Sequence, residues 1–187
     1  MAMLRNGAGR RTLVERVRAF DDVVDRAVER VRGPRLDPVF YGLSSAADHG
    51  LLWLTIASGV AARRGDPAVA LRMGTSMGIE SALTNGPIKA CFRRVRPEHD
   101  LPDAGPLPYG MHRPLSSSFP SGHSASAFTA AMLLADTPLA PALFVLAAAV
   151  AASRVYTRMH HASDVLAGAA VGIAMGAVAR RLLPLGG

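Results

Sequence analysis

The sequence predicts an all-α fold, a polytopic membrane helical bundle of about five spanning helices behind an N-terminal amphipathic helix. Three observations carry this expectation. Half of the 187 residues are hydrophobic and only 5% are aromatic, so the apolar mass is Ala, Val, Leu and Gly. That composition suits closely packed membrane helices better than a β-sandwich. Ala140–Ala152 and Val165–Ala179 are apolar enough to lead two spanning helices. Gly168, Gly172 and Gly176, and again Gly74 and Gly78, recur every fourth residue, a spacing that lets helix backbones approach one another. A chain of this length holds one core. It divides into an amphipathic segment over 1–36 and membrane-embedded helices over 37–187.

Residues 11–32 open as the amphipathic helix. Leu13, Val17, Phe20, Val24, Ala27 and Val31 form a stripe between charged faces. The segment carries too much charge to span a bilayer and is expected to lie in the lipid interface. It does not read as a signal peptide, because no continuous apolar run follows its basic start. Gly33-Pro34 ends it. Five helical segments follow, over 38–62, 67–91, 121–135, 139–158 and 161–183. Asp48, Arg72 and Glu80 interrupt the first two and are expected to face the bundle interior or water, paired with one another. The 121–135 segment is short for a span and is expected to tilt or lie near the surface. Between Arg96 and Pro120 runs one long irregular stretch, broken by Pro102, Pro106, Pro108 and Pro114 and expected to act as a lid. Cys91, the single cysteine, excludes an intramolecular disulfide and reads as a buried thiol.

The net charge is +7. With no recognition motif and few aromatics to stack on bases, this charge does not point to nucleic acid, and anionic lipid is the partner it favours. Of the 21 basic residues, 20 are arginine and Lys89 is the one lysine. In a chain that otherwise uses arginine, Lys89 marks a place where a compact point charge is wanted.

Lys89 also opens the first of three ordered strings. These are Lys89-x6-Arg96-Pro97, then Pro120-Ser121-Gly122-His123, then Ser153-Arg154-x5-His160-x3-Asp164. They gather three cations, two histidines and one carboxylate, the groups that phosphoryl transfer through a histidine needs. If the helices run up and down, all three strings fall on one side of the bundle. In order and spacing they resemble the type 2 phosphatidic acid phosphatase superfamily.

The resemblance implies a metal-independent membrane lipid phosphatase working through a phosphohistidine. His160 would be the nucleophile, and Asp164, one helical turn on, would accept the proton of one ring nitrogen. His123 would be the general acid. Lys89, Arg96 and Arg154 would clamp the phosphoryl oxygens, extended by Ser121 and the Gly122 N–H at a helix N-terminus. No cofactor and no metal is expected, since the three cations take the place of a divalent ion and the site lacks its carboxylate cluster. The expected partners are a lipid or polyprenyl-linked phosphate substrate and membrane lipids. The heptad-like first helix and the glycine stacks also permit a homodimer. His161 misses the spacing to Asp164 and reads as structural, while Arg93 and Arg94 read as interfacial charges.

Phe20-Asp21-Asp22, Asp48-His49 and the Ser-Ser-Phe-Pro-Ser-Gly-His context resemble small actinobacterial members of the family. That implies a polyprenyl-linked sugar phosphate, first of all decaprenylphosphoryl-ribose 5-phosphate. Undecaprenyl diphosphate, phosphatidylglycerophosphate and phosphatidate are the alternatives. Vanadate-dependent haloperoxidases share the site type but are typically larger and soluble. A non-catalytic lipid-binding relative is expected to have lost His123, His160 or Asp164. The expected location is the cell membrane, multi-pass. Arg63, Arg64, Arg180 and Arg181 on one side oppose nine arginines from Arg5 to Arg35 on the other, so charge leaves the orientation open.

Overall fold

A computed structural model describes residues 12–97 and 116–183, and every regular element among them is helical. The helices are α1 (Leu13–Val31), α2 (Asp37–Ala46), α3 (Leu51–Arg64), α4 (Ala68–Leu83), α5 (Gly122–Leu133), α6 (Ala140–Tyr156) and α7 (Ala162–Leu182). Most of the expected lid, including Pro102 to Pro114, lies outside the described residues.

Local signals set most boundaries. Thr12 caps α1 in a capping box with Glu15. Pro38 and Pro141 sit in the first turns of α2 and α6, where a missing N–H costs nothing. Gly65, at φ 64°, closes α3. The predicted 38–62 helix is in fact two. His49 (φ 54°) and Gly50 (φ 72°) both take the left-handed conformation in the turn Asp48–Gly50, which breaks α2 from α3. A non-glycine residue there is strained by about 1 kcal/mol, and the break turns Asp48 toward α5. The 67–91 segment carries a π turn over Thr84–Ile88 around Pro87.

Helix α5 lies centrally, packed against α4, α6 and α7. Its small residues Ala127, Ala130 and Ala131 join Trp53, Met73, Leu134, Leu143 and Val150 in the core. The short predicted segment is therefore an interior helix rather than a surface one. On α7, Gly168, Gly172 and Gly176 all face α5 at backbone contact. A Cβ on Gly172 would fall on the Ala125 carbonyl oxygen, and one on Gly176 would come within 2.7 Å of the Met132 side chain. Gly74 and Gly78 do not repeat this: Gly78 meets nothing within 4 Å. Gly172→Ala is expected to cost about 1–3 kcal/mol by forcing α5 from α7, whereas Gly78→Ala is neutral or slightly stabilising. Thermal unfolding in detergent compares the two.

Two of the charges inside apolar segments, Glu80 and Asp48, meet hydroxyls and an imidazole. Glu80 is buried and accepts from Thr84 Oγ1 (2.8 Å) and Ser126 Oγ (2.6 Å). Asp48 meets His123. The outer surface is apolar, with Leu71, Ile79, Val145, Leu166, Ile173 and Val178 exposed. Among the described residues α7 is the one helix long and apolar enough by itself to cross a membrane, and α6 is a shorter apolar helix. Cys91 is exposed rather than buried.

Helix α1 packs on α6 and α7. Its inward face is Val17, Asp21, Val24 and Val28, rotated from the predicted stripe, so that Leu13, Phe20 and Val31 stay exposed. Val24 and Val28 meet Val155 and Val165, and Asp21 is buried against the start of α7. A full apolar stripe would be used only if nothing polar had to reach the interior. Asp21 is the reason for the rotation.

Candidate active site

The three motifs stand at the C-terminal ends of α4 and α6 and the N-terminal ends of α5 and α7. Backbone contacts join these ends. Ser121 N–H donates to the Asp164 carbonyl (3.0 Å), tying α5 to α7, and the N–H groups of Met159 and His160 donate to the Arg154 carbonyl (3.0 and 3.1 Å). Lys89 Nζ donates to Asn85 Oδ1 (3.0 Å). Asn85 occupies the space left by Gly122, where a Cβ would come within 2.7 Å of the same oxygen. The glycine thus brings the lysine arm against the start of α5.

His160 is 2% exposed. Its Nδ1 lies 2.7 Å from the Ser118 carbonyl oxygen, which can only accept, so Nδ1 carries the proton and Nε2 holds a free lone pair. Arg96 Nη1 faces that lone pair at 3.3 Å and also donates to the Met159 carbonyl at 2.7 Å. Asp164 does not take the role expected of it. Its Oδ2 is 3.8 Å from His160 Nδ1, acting as a charge, and it accepts instead from the His161 N–H (2.9 Å) and, through Oδ1, from Arg94 (2.6 Å). The physical reason is local. His160 precedes α7 and His161 is the extended N-cap, so the helical i, i+4 relation does not apply, and the first-turn N–H captures the carboxylate.

Arg154 is 2% exposed, donates through Nη1 to Ser44 Oγ at 2.5 Å, and its buried Nε has no hydrogen-bond partner among the described residues. Lys89 lies within electrostatic reach of Arg96 and Arg154. Asp164, Glu80 and Asp48 offset part of the repulsion among these three cations, and an anionic group bound between them would offset more. Ser121 is fully buried, and its hydroxyl oxygen caps α5 by accepting from the Ser124 N–H (3.4 Å), which leaves its proton available to an anionic ligand.

His123 stands across the site with Nε2 2.6 Å from Asp48 Oδ1. Burial alone would raise the Asp48 carboxyl, but the His123 contact and Arg154 outweigh it and hold it below its ordinary value. Asp48 is a site residue that the motifs do not contain. Its sequence signals are a charge inside an apolar segment and its place in the Asp48-His49 pair, neither of which links it to His123. Ser118 lies in the Ser-Ser-Phe-Pro-Ser-Gly-His stretch, but nothing in the sequence marks its carbonyl as the partner of His160. Arg94, expected at the interface, is instead drawn inward between Asp21 and Asp164. His161 caps α7 and meets Asp25 of α1 at 3.3 Å.

Burial, helped by Arg154 and Arg96 and opposed by Asp164, pushes the His160 imidazole from its ordinary 6.5 down to about 3. The ring is neutral at physiological pH, as a nucleophile must be. The same shift links pH to stability. Between pH 6.5 and about 3 the unfolded histidine binds a proton that the folded one refuses, so stability present above 6.5 is lost as pH falls. His160→Asn is expected to unfold with a shallower acid dependence across that window, read from thermal melts.

Among the described residues, no group of three or more His, Cys, Asp or Glu side chains is placed to hold a metal ion. Comparison with known proteins accounts for the arrangement that is present. The PAP2 superfamily, that of the type 2 phosphatidic acid phosphatases, matches residues 69–185. A decaprenylphosphoryl-5-phosphoribose phosphatase of Mycobacterium tuberculosis is 32% identical over 141 residues, covering 73% of this chain and 75% of that protein. Its namesake from Mycolicibacterium smegmatis is 33% identical over 131 residues, 67% of each. The crystal structure of a transmembrane PAP2 type phosphatidylglycerolphosphate phosphatase from Bacillus subtilis superposes with a TM-score of 0.70 at 27% identity, over 89% of this chain and 86% of that one. Aquifex aeolicus LpxE gives 0.69 at 25% identity, over 87% and 95%. With the motif residues gathered at one end of a helical bundle and a match over most of its length, this chain belongs to the PAP2 superfamily and is a membrane lipid phosphatase, a phosphoric monoester hydrolase.

Proposed function

We propose that this enzyme hydrolyses the phosphate monoester of a polyprenyl-linked sugar, decaprenylphosphoryl-ribose 5-phosphate first, through a phosphohistidine at His160. The observation that carries the mechanism is the His160 tautomer. With Nδ1–H held by the Ser118 carbonyl, Nε2 is a bare nucleophile beside Arg96. Nε2 attacks phosphorus while the bond from phosphorus to the ester oxygen breaks. His123 delivers its proton to that oxygen, and the Asp48 carboxylate beside its Nε2 is the charge that favours the protonated ring. Lys89, Arg96, Arg154 and the Gly122 N–H carry the equatorial oxygens, with the Ser121 hydroxyl behind them. His123, now neutral, takes a proton from water, whose oxygen attacks phosphorus as the phosphorus–nitrogen bond breaks, releasing phosphate and the free Nε2 of His160. Asp164 keeps negative charge near the imidazole and orders the start of α7. The substrate rests on the similarity to the mycobacterial enzymes.

In this reading α3–α7 cross the cell membrane, with the site at one face and the exposed Leu13, Phe20 and Val31 of α1 resting in the interface. Cys91, the single cysteine, is exposed two residues from Lys89. An impermeant maleimide applied to right-side-out and inverted vesicles reports which side the site faces.

The deciding experiment is phosphate release by purified protein in detergent with EDTA present. The panel is decaprenylphosphoryl-ribose 5-phosphate, undecaprenyl diphosphate, phosphatidylglycerophosphate and phosphatidate. Preferred release from the first, lost in His160→Ala, is the expected result. Preference for another member replaces the substrate, and release retained by His160→Ala sinks the phosphohistidine.

A further inference from the structure

Helix α1 lies outside the segment that the superfamily matches, yet it sends one carboxylate into the frame of the site. Asp21 is 3% exposed. Its Oδ1 accepts from the Ser163 N–H (2.8 Å), and its Oδ2 accepts from Ser163 Oγ (2.8 Å) and from Arg94 Nη2 (2.5 Å). The Ser163 N–H belongs to the first turn of α7, where donors have no partner within the helix. A carboxylate from a different helix therefore completes the end of α7 and complements its dipole.

Arg94 is the link onward. Its Nη1 donates to Asp164 Oδ1 (2.6 Å) and to Ser163 Oγ (2.7 Å), so one guanidinium bridges two carboxylates. Its backbone carbonyl accepts from the Ser118 N–H (2.9 Å). Ser118 in turn supplies the carbonyl that holds His160 Nδ1. Arg94 thus sets both neighbours of the imidazole, Asp164 through its side chain and Ser118 through its backbone. Asp21 holds Arg94 from the opposite side.

A buried carboxylate is a costly way to dock a helix when apolar contacts from Val24 and Val28 are available. What it adds is direction. We propose that Asp21 of α1 is a positioning residue for the histidine site, acting through Arg94 and Ser163 to hold Asp164 and Ser118 against His160. The proposal rests on the phosphatase reading. It makes the first helix a working part of the enzyme as well as a surface anchor.

The test is a mutant cycle on the full chain in detergent micelles, with phosphate release from the best substrate of the panel above. Asp21→Asn is expected to lower kcat about 20-fold with KM within about twofold, since ground-state contacts to the phosphate are untouched. Arg94→Met lowers kcat further and strands the Asp21 carboxylate. In that background Asp21→Asn is expected to leave kcat within about twofold or to raise it, because its path to the site is already cut. A structural role alone would produce a similar loss in both backgrounds, and that result overturns the proposal, as does a kcat within about twofold for Asp21→Asn alone. If Asp21→Asn does not fold, Ser163→Ala takes its place in the cycle, with an expected loss of about fivefold that also vanishes beside Arg94→Met. If the wild-type chain releases no phosphate from any member, the phosphatase reading fails separately. Orthovanadate affinity, followed by thermal shift, then decides the matter: weakening of about fivefold or more in Asp21→Asn supports the positioning role, and unchanged affinity overturns it.

Discussion

His160→Ala is expected to lower phosphate release about ten-thousand-fold, with no labelled phosphoenzyme trapped on rapid quenching. Wild-type protein under the same quench is expected to carry an acid-labile, base-stable phosphate. The expected loss is large because, among the described residues, no second imidazole is placed beside Arg96 to stand in for His160 as the proposed nucleophile. The neighbouring ring, His161, caps α7 and is turned toward Asp25. The change removes the hydrogen bond to the Ser118 carbonyl and the contact with Arg96 and leaves a cavity, so thermal melts of the variant accompany the activity assay. A variant that melts near wild type and still forms phosphoenzyme would disprove the assignment.

The second large effect belongs to His123, and its signature is dependence on the leaving group. His123→Ala is expected to lose about a thousandfold in kcat on a lipid phosphate, whose alkoxide cannot leave without a proton. On p-nitrophenyl phosphate the first step needs no acid, so a burst of about one equivalent of nitrophenol should appear, followed by slow turnover. The slow phase arises because the same ring activates the water of the second step. Asp48→Asn should move in the same direction by about tenfold, by withdrawing the carboxylate that lies 2.6 Å from His123 Nε2. Equal losses on both substrates with no burst would remove His123 from the proton-transfer role.

Much of this arrangement is legible in the chain. The motif residues reach one end of the bundle because each sits at a helix boundary marked by ordinary signals: Pro87 near Lys89, the Ser121 cap, and the end of α6 at Tyr156. The glycine spacing on α7 does mark close packing, whereas the same spacing on α4 marks none. Spacing says which residues share a face and not whether another backbone lies against it. The stripe on α1 fails for a related reason. Several apolar residues lie on a wide arc, and the buried Asp21 selects which half of it turns inward.

The sequence by itself determined the helical class and the superfamily, and it marked Lys89, Arg96, His123, Arg154, His160 and Asp164 as the groups proposed for the site. These are matters of order and short spacing, which a linear chain records directly. The tertiary structure alone decided which nitrogen of His160 is free, that Asp48 and not another carboxylate serves His123, and that Asp21 reaches Arg94. Those pairs are 42, 75 and 73 residues apart. Contacts across such separations depend on helix rotation and on where backbone carbonyls fall, and both are set by packing rather than by any local pattern of residues.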